Sequence, residues 1–118
     1  MINRPKTIIC DIDGTLIKHH GSLTKQMQCD PEILPGTIEK ISEWDSKGYH
    51  IILITGRKES MRKITEQQLS SLGIVYDKLV MGVTSGERIL INDNKPTGEK
   101  TAFAICVERN IGLHGIDV

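Results

Sequence analysis

Short unbroken apolar runs alternate along this chain with stretches in which apolar residues recur every third or fourth position. Lys6-Thr7-Ile8-Ile9-Cys10 runs into Asp11, and His50-Ile51-Ile52-Leu53-Ile54 runs into Thr55. Runs of this length that stop at a polar residue predict strands buried in a parallel sheet. Between them Pro35-Gly36-Thr37 reads as a helix start, Ile38, Ile41 and Trp44 fall on one helical face, and Gly48 closes the helix. Met61, Ile64, Leu69 and Leu72 share a face of a second helix predicted over about 59–72, capped by Gly73. Residues 76–81 and 88–91 predict two more short strands. Residues 101–107, small and β-branched, predict another, with a helix as the alternative. Residues 14–35 are turn-rich and polar around His19-His20-Gly21-Ser22 and predict only a hairpin.

Strands alternating with helices predict an α/β fold, a Rossmann-like, doubly wound and mostly parallel sheet. Such sheets gather their chemistry at the carboxyl ends of the strands. Three predicted strands end in polar residues: Asp11 with Asp13, Thr55, and Asn92 to Asn94. If all are parallel, these groups meet at one edge. One connection strains the scheme, because residues 82–87 alone join the third and fourth predicted strands. A parallel crossover takes a dozen residues or more, whereas this link reaches roughly 20 Å fully extended. Either it runs tautly over the sheet end or one strand is antiparallel.

At 118 residues, the chain predicts a single domain over 1–118. Lys+Arg and Asp+Glu both number 15, so the formal charge is zero. That balance lacks the basic excess of nucleic-acid binders and of polybasic membrane binders. The aromatics Trp44, Tyr49, Tyr76 and Phe103 form no interleaved stacking platform for single strands. No apolar run is long enough to span a bilayer, and the start does not read as a secretory signal, so a cytoplasmic location is expected, with no nucleic-acid or membrane partner. The three cysteines share no CxxC spacing, which argues against a zinc knuckle or a disulfide framework. Cys10 and Cys106 read as small core residues.

Asp11-Ile12-Asp13-Gly14-Thr15, directly after a predicted strand, carries the most chemistry. Two carboxylates one residue apart repel unless a cation or a shared proton relieves them. A hard cation such as Mg²⁺ takes one or two carboxylates plus substrate phosphate. The competing reading is a solvated acidic turn, since Asp and Gly favour turns on backbone grounds. An EF-hand is excluded, because no glutamate follows at the loop spacing.

Cys10-Asp11-Ile12-Asp13-Gly14-Thr15-Leu16 resembles the first motif of the haloacid dehalogenase (HAD) superfamily of phosphohydrolases. Ile51-Ile52-Leu53-Ile54-Thr55-Gly56-Arg57 is similar to its second motif, and Ile89-Leu90-Ile91-Asn92-Asp93-Asn94 to its fourth. The resemblance implies Asp11 as nucleophile, forming an aspartyl-phosphate, and Asp13 as the acid and then the base. Residues i and i+2 of an extended segment point the same way, so both can reach one phosphate. It also implies Mg²⁺ held by Asp11, by Asp13 through its backbone carbonyl, and by Asp93, with Thr55 and Gly56 facing the phosphoryl oxygens. A helix N-cap is the bland alternative for Thr55.

Two departures from the pattern stand out. Asn92 stands where relatives often carry a second aspartate, leaving it a supporting role. The third motif's base is also not plain. Residues 76–79 resemble small capsule- and lipopolysaccharide-related phosphatases of the superfamily, but Gly82-Val83-Thr84-Ser85-Gly86 holds no Lys or Arg. As the start of a strand, Arg88 would lie ~13 Å from the catalytic end. Lys95 is the favoured substrate-binding base, ahead of Arg57 and Lys58. No cap domain fits in residues 14–35, and capless relatives take large substrates or complete their sites by oligomerising. The expectation is a Mg²⁺-dependent phosphohydrolase for a small phosphorylated metabolite, a sugar phosphate by partial likeness, with a homo-oligomer as one arrangement. The alternative is a phosphate-binding or regulatory domain with little turnover. A two-component receiver fits less well, because its phosphorylated Asp should end the third strand.

Overall fold

The computed structural model describes residues 4–118. Thr7–Asp11 form strand β1, which Asp11 closes. After helix α1 (Leu23–Gln28) and helix α2 (Thr37–Ser46) comes strand β2 (His50–Ile54). A short 3₁₀ turn, Glu59–Met61, leads into helix α3 (Arg62–Ser71), and Lys78–Val80 form strand β3. The three strands are parallel in the order β1-β2-β3. The register places Asp11 opposite Ile54 and Ile54 opposite Val80, so the carboxyl ends line up as the sequence predicts.

Both crossovers step the same way across the sheet, and right-handed connections then put α2 and α3 on one face. The row Cys10, Leu53 and Leu79 on that face is buried, together with Ile51, Ile41, Trp44 and Leu69. The opposite face carries Ile9 and Val80, which are exposed. Gly36 opens α2 with φ 84°, and a Cβ there would lie 2.9 Å from the His114 backbone nitrogen. The glycine thus lets the C-terminal segment close in, where the Leu113 N–H donates to the Pro35 carbonyl at 2.9 Å and Leu113 joins the core.

Three expectations need correction. Residues 88–91 and 101–107 form no strand, so the second winding of the sheet is missing among the described residues. Instead they lie on an arm that leaves the sheet after Val83, on which Ile89 is 80% and Ile91 90% exposed. The short link explains this. The Gly82 N–H donates to the Arg57 carbonyl at 2.8 Å and the Val83 N–H to the Thr55 carbonyl at 2.9 Å, so the chain spends its first residues after β3 holding the end of β2. Too little is left for a crossover. Second, residues 14–35 hold the helix α1 as well as a single antiparallel bridge, Ile17 to Ile33. Ser22 makes that helix possible by accepting from the Lys25 N–H at 3.2 Å.

Third, only one of the two cysteines read as core residues is buried: Cys10, whereas Cys106 is exposed, as is Cys29. Burial, with Asp11 beside it, pushes the Cys10 thiol up to about 12. A thiol reagent at pH 8 is therefore expected to label Cys29 and Cys106 quickly and Cys10 only after unfolding. Rapid labelling of all three in the native protein would contradict this packing.

Candidate active site

The site begins where β1 ends. Ile12 is fully buried, and its carbonyl accepts from the N–H groups of Thr15, Leu16 and Ile17 at 3.1, 2.9 and 3.2 Å, so the chain turns sharply after Asp13. Gly14 takes φ +90°, and a Cβ there would meet the Arg109 side chain at 3.2 Å. The C-terminal segment uses that clearance: the Asn110 N–H donates to the Gly14 carbonyl at 2.8 Å, while the Asn110 side chain accepts from the His19 N–H at 2.7 Å.

Asp13 is clamped. Arg57 Nε donates to Oδ2 at 2.9 Å and Nη2 to Oδ1 at 2.8 Å, a bidentate pair. Gln26 Nε2 adds a third bond to Oδ1 at 2.6 Å. Arg57 is 1% exposed and spends Nη1 on Thr65 Oγ1 at 3.0 Å and Gln68 Oε1 at 2.7 Å. A buried guanidinium survives only when its donors are used in this way. Arg57 therefore holds a carboxylate and does not lie on the surface loop where its place after β2 had suggested a phosphate-binding base.

Asp11 is freer. Arg88 Nη1 lies 3.6 Å from its Oδ1, and both side chains are about one-third exposed. Burial raises the Asp11 carboxyl above the ordinary carboxylate range; Arg88, the Ile12 N–H and His19 pull it back, and Asp13 pushes it further up. Because residues 88–91 form no strand, Arg88 is not held away from the strand ends, and its guanidinium lies beside Asp11. Thr55 is buried, with Oγ1 accepting from the Arg57 N–H at 3.1 Å within the loop after β2; it caps no helix, since Lys58 and Met61 stand at the starts of the 3₁₀ turn and of α3. A Cβ on Gly56 would lie 3.2 Å from the Val83 carbonyl oxygen, so glycine permits the loop to approach.

Thus Asp11, Asp13, Thr55 and Gly56 lie together at the strand ends. Asn92, Asp93 and Lys95 lie on the exposed arm, with the Asp93 carbonyl accepting from Thr101 and the Lys95 N–H donating to Glu99. Among the described residues no group of three His, Cys, Asp or Glu side chains is gathered to hold a metal. The donors at β1 are hard oxygens of the type Mg²⁺ takes, and one or two carboxylates with a substrate phosphate meet its needs. The set is compatible with Mg²⁺ but incomplete without another acid.

Sequence reading missed Gln26, Gln68 and Thr65. A signal was present, because Thr65 and Gln68 interrupt the helical face that Met61 and Leu69 make apolar, and both are buried. Polar residues on a buried face need partners.

A search against known structures finds a chain of the Pnkp1/Rnl/Hen1 complex with a TM-score of 0.60 and 31% identity over 72% of this chain. This chain spans only 30% of that one. D,D-heptose 1,7-bisphosphate phosphatase from B. bronchiseptica, solved with magnesium and phosphate, matches at a TM-score of 0.51 and 20% identity, covering 64% of this chain and 49% of that one. A protein from Vibrio cholerae matches at 0.53 and 21%, covering 74% and 79%. These likenesses support an open, Rossmann-like α/β fold of HAD type. The family model for the LNS2 domain of PITM 1-3 matches residues 8–104, taking in β1 from Ile8 on, β2, β3 and most of the arm, and the chain belongs to that family, as a small HAD-like member.

Proposed function

We propose that the chain, as a single domain over 1–118, is a Mg²⁺-dependent phosphohydrolase that takes phosphate from a phosphomonoester. One observation carries this reading: Asp11 and Asp13 lie together at the end of β1, with Asp13 immobilised by Arg57 and Asp11 left open beside Arg88. Asp11 attacks phosphorus, the bond to the leaving oxygen breaks, and Asp13 protonates that oxygen. Asp13 then takes a proton from the water that hydrolyses the aspartyl-phosphate. Thr55 and Gly56 face the phosphoryl oxygens, and Arg88 offsets their charge beside Asp11, a role also open to Lys95. Asp11, the Asp13 carbonyl and Asp93 are the residues that would hold Mg²⁺, which when bound neutralises phosphate charge. Asp93 belongs to this set by its motif and must be brought in from the arm.

The heptose bisphosphate phosphatase likeness favours a sugar phosphate as substrate. The site's openness fits a protruding substrate or completion by a second copy, and a cytoplasmic setting suits such a metabolite. No described helix is long and apolar enough to cross a membrane. The position of Asp93 favours a second reading, a phosphate-binding or regulatory domain with little turnover. Hydrolysis of p-nitrophenyl phosphate with and without Mg²⁺, with Asp11→Asn as control, separates the two. Metal-dependent turnover above that control supports an enzyme; none with this probe or a phosphorylated-metabolite panel supports the second reading. In the active protein, Asp93→Asn is expected to raise the Mg²⁺ concentration for half-maximal rate about tenfold or more, on the scale of lost metal-site partners. An unchanged Mg²⁺ requirement would remove Asp93 from the metal set.

A further inference from the structure

Gln26 is the buried residue of α1, 3% exposed on a helix that otherwise faces solvent. Every polar atom of its side chain is used. Nε2 donates to Asp13 Oδ1 at 2.6 Å and to the Lys18 carbonyl at 3.0 Å, while Oε1 accepts from the His20 N–H. Its backbone carbonyl accepts from Gln68 Nε2 at 2.9 Å, and Gln68 in turn holds Arg57. One side chain therefore joins the loop after β1, the helix above it and the Asp13 carboxylate.

A carboxylate oxygen has about two lone-pair sites. Asp13 Oδ1 fills both, with Arg57 Nη2 and Gln26 Nε2, whereas among the described residues Oδ2 accepts only from Arg57 Nε. Arg57 alone engages the two oxygens equally, so Gln26 breaks the symmetry. Resting on the phosphohydrolase reading, we infer that Gln26 is a positioning residue that reserves Asp13 Oδ2 as the oxygen that passes the proton. The proton leaves Oδ2 for the departing alkoxide as the phosphorus–oxygen bond breaks, and returns to Oδ2 from the attacking water. The same bond fixes α1 to the proton-transfer group.

The test compares leaving groups. p-Nitrophenolate departs without a proton, whereas an alkoxide needs one. Gln26→Met keeps the bulk and loses the donor, and Gln26→Asn keeps the amide but shortens its reach. Both are expected to lower kcat for glycerol phosphate about tenfold or more and kcat for p-nitrophenyl phosphate less than about threefold, with KM little changed, since a small misplacement of a catalytic group has effects of this order. Equal losses on the two substrates, or none, would overturn the inference. A second arm needs no turnover: the Gln26 side-chain amide ¹H–¹⁵N signals, which should shift in Asp13→Asn while those of Gln68 move less. Unmoved Gln26 signals would refute the contact itself. An inactive wild type that still shows the shift defeats the phosphohydrolase reading and leaves the contact standing.

Discussion

Replacing Arg57 with alanine is expected to destabilise the protein by about 3–5 kcal/mol, the usual range for removing one partner of a buried ion pair. The structure says why the effect should be large. Arg57 is 1% exposed, and its loss strands the Asp13 carboxylate together with Thr65 Oγ1 and Gln68 Oε1. Arg57→Lys keeps the charge but loses the planar fork, so it should recover only part of the deficit. Pairing Arg57→Met with Asp13→Asn should cost less than the sum of the single changes, because the double change leaves no unpaired buried charge. Urea unfolding of the five variants, the double change and the two single changes in it included, checks this. A loss below about 1 kcal/mol for Arg57→Ala would mean that the pair is solvated in solution.

Asp11→Asn is expected to separate activity from stability. Turnover should fall by about a thousandfold or more, as when a nucleophile is removed from a catalytic set that acts as a unit. Stability should move the other way. The Asp11 carboxyl is raised above its ordinary value of 3.8, burial being the main cause, so the folded state binds its proton more tightly than the unfolded state does. Such a group favours the fold at pH below 3.8, and that contribution is lost as pH rises through 3.8 to the raised folded value. Asparagine has no charge to bury. In EDTA the variant's Tm should thus match the wild type near pH 3 and exceed it at pH 7. A wild type more stable than the variant at pH 7 without metal would show that Arg88 and the Ile12 N–H outweigh burial.

The legible parts of this fold share a physical cause. Ile8-Ile9-Cys10 and Ile51-Ile52-Leu53-Ile54 announce themselves because an unbroken apolar run is a local signal of a strand, even though only Cys10, Ile51 and Leu53 of them are buried. Asp11 and Asp13 were legible for the same reason: a carboxylate pair after a buried strand has few places to be. Residues 88–91 look equally apolar, yet whether they join the sheet depends on how residues 82–87 are spent. Backbone hydrogen bonds to Thr55 and Arg57 consume that link. No local pattern records such a competition. The Arg57–Asp13 pair lay out of reach because its partners are 44 residues apart, and Gln26 because a six-residue helix has too few turns to display a face.

The arm leaves the sheet at Val83, fastened to Thr55, and returns at Asn110, fastened to Gly14. Its two feet therefore stand beyond the carboxyl ends of the neighbouring strands β2 and β1, next to Asp13 at one of them. Lengthening such a loop is thermodynamically mild, about 0.6 kcal/mol for each doubling. Sequences of very different size could be hosted between these feet while the strands below keep their register. The surface above the sheet could thus change by grafting, with the acidic pair at the strand ends left undisturbed.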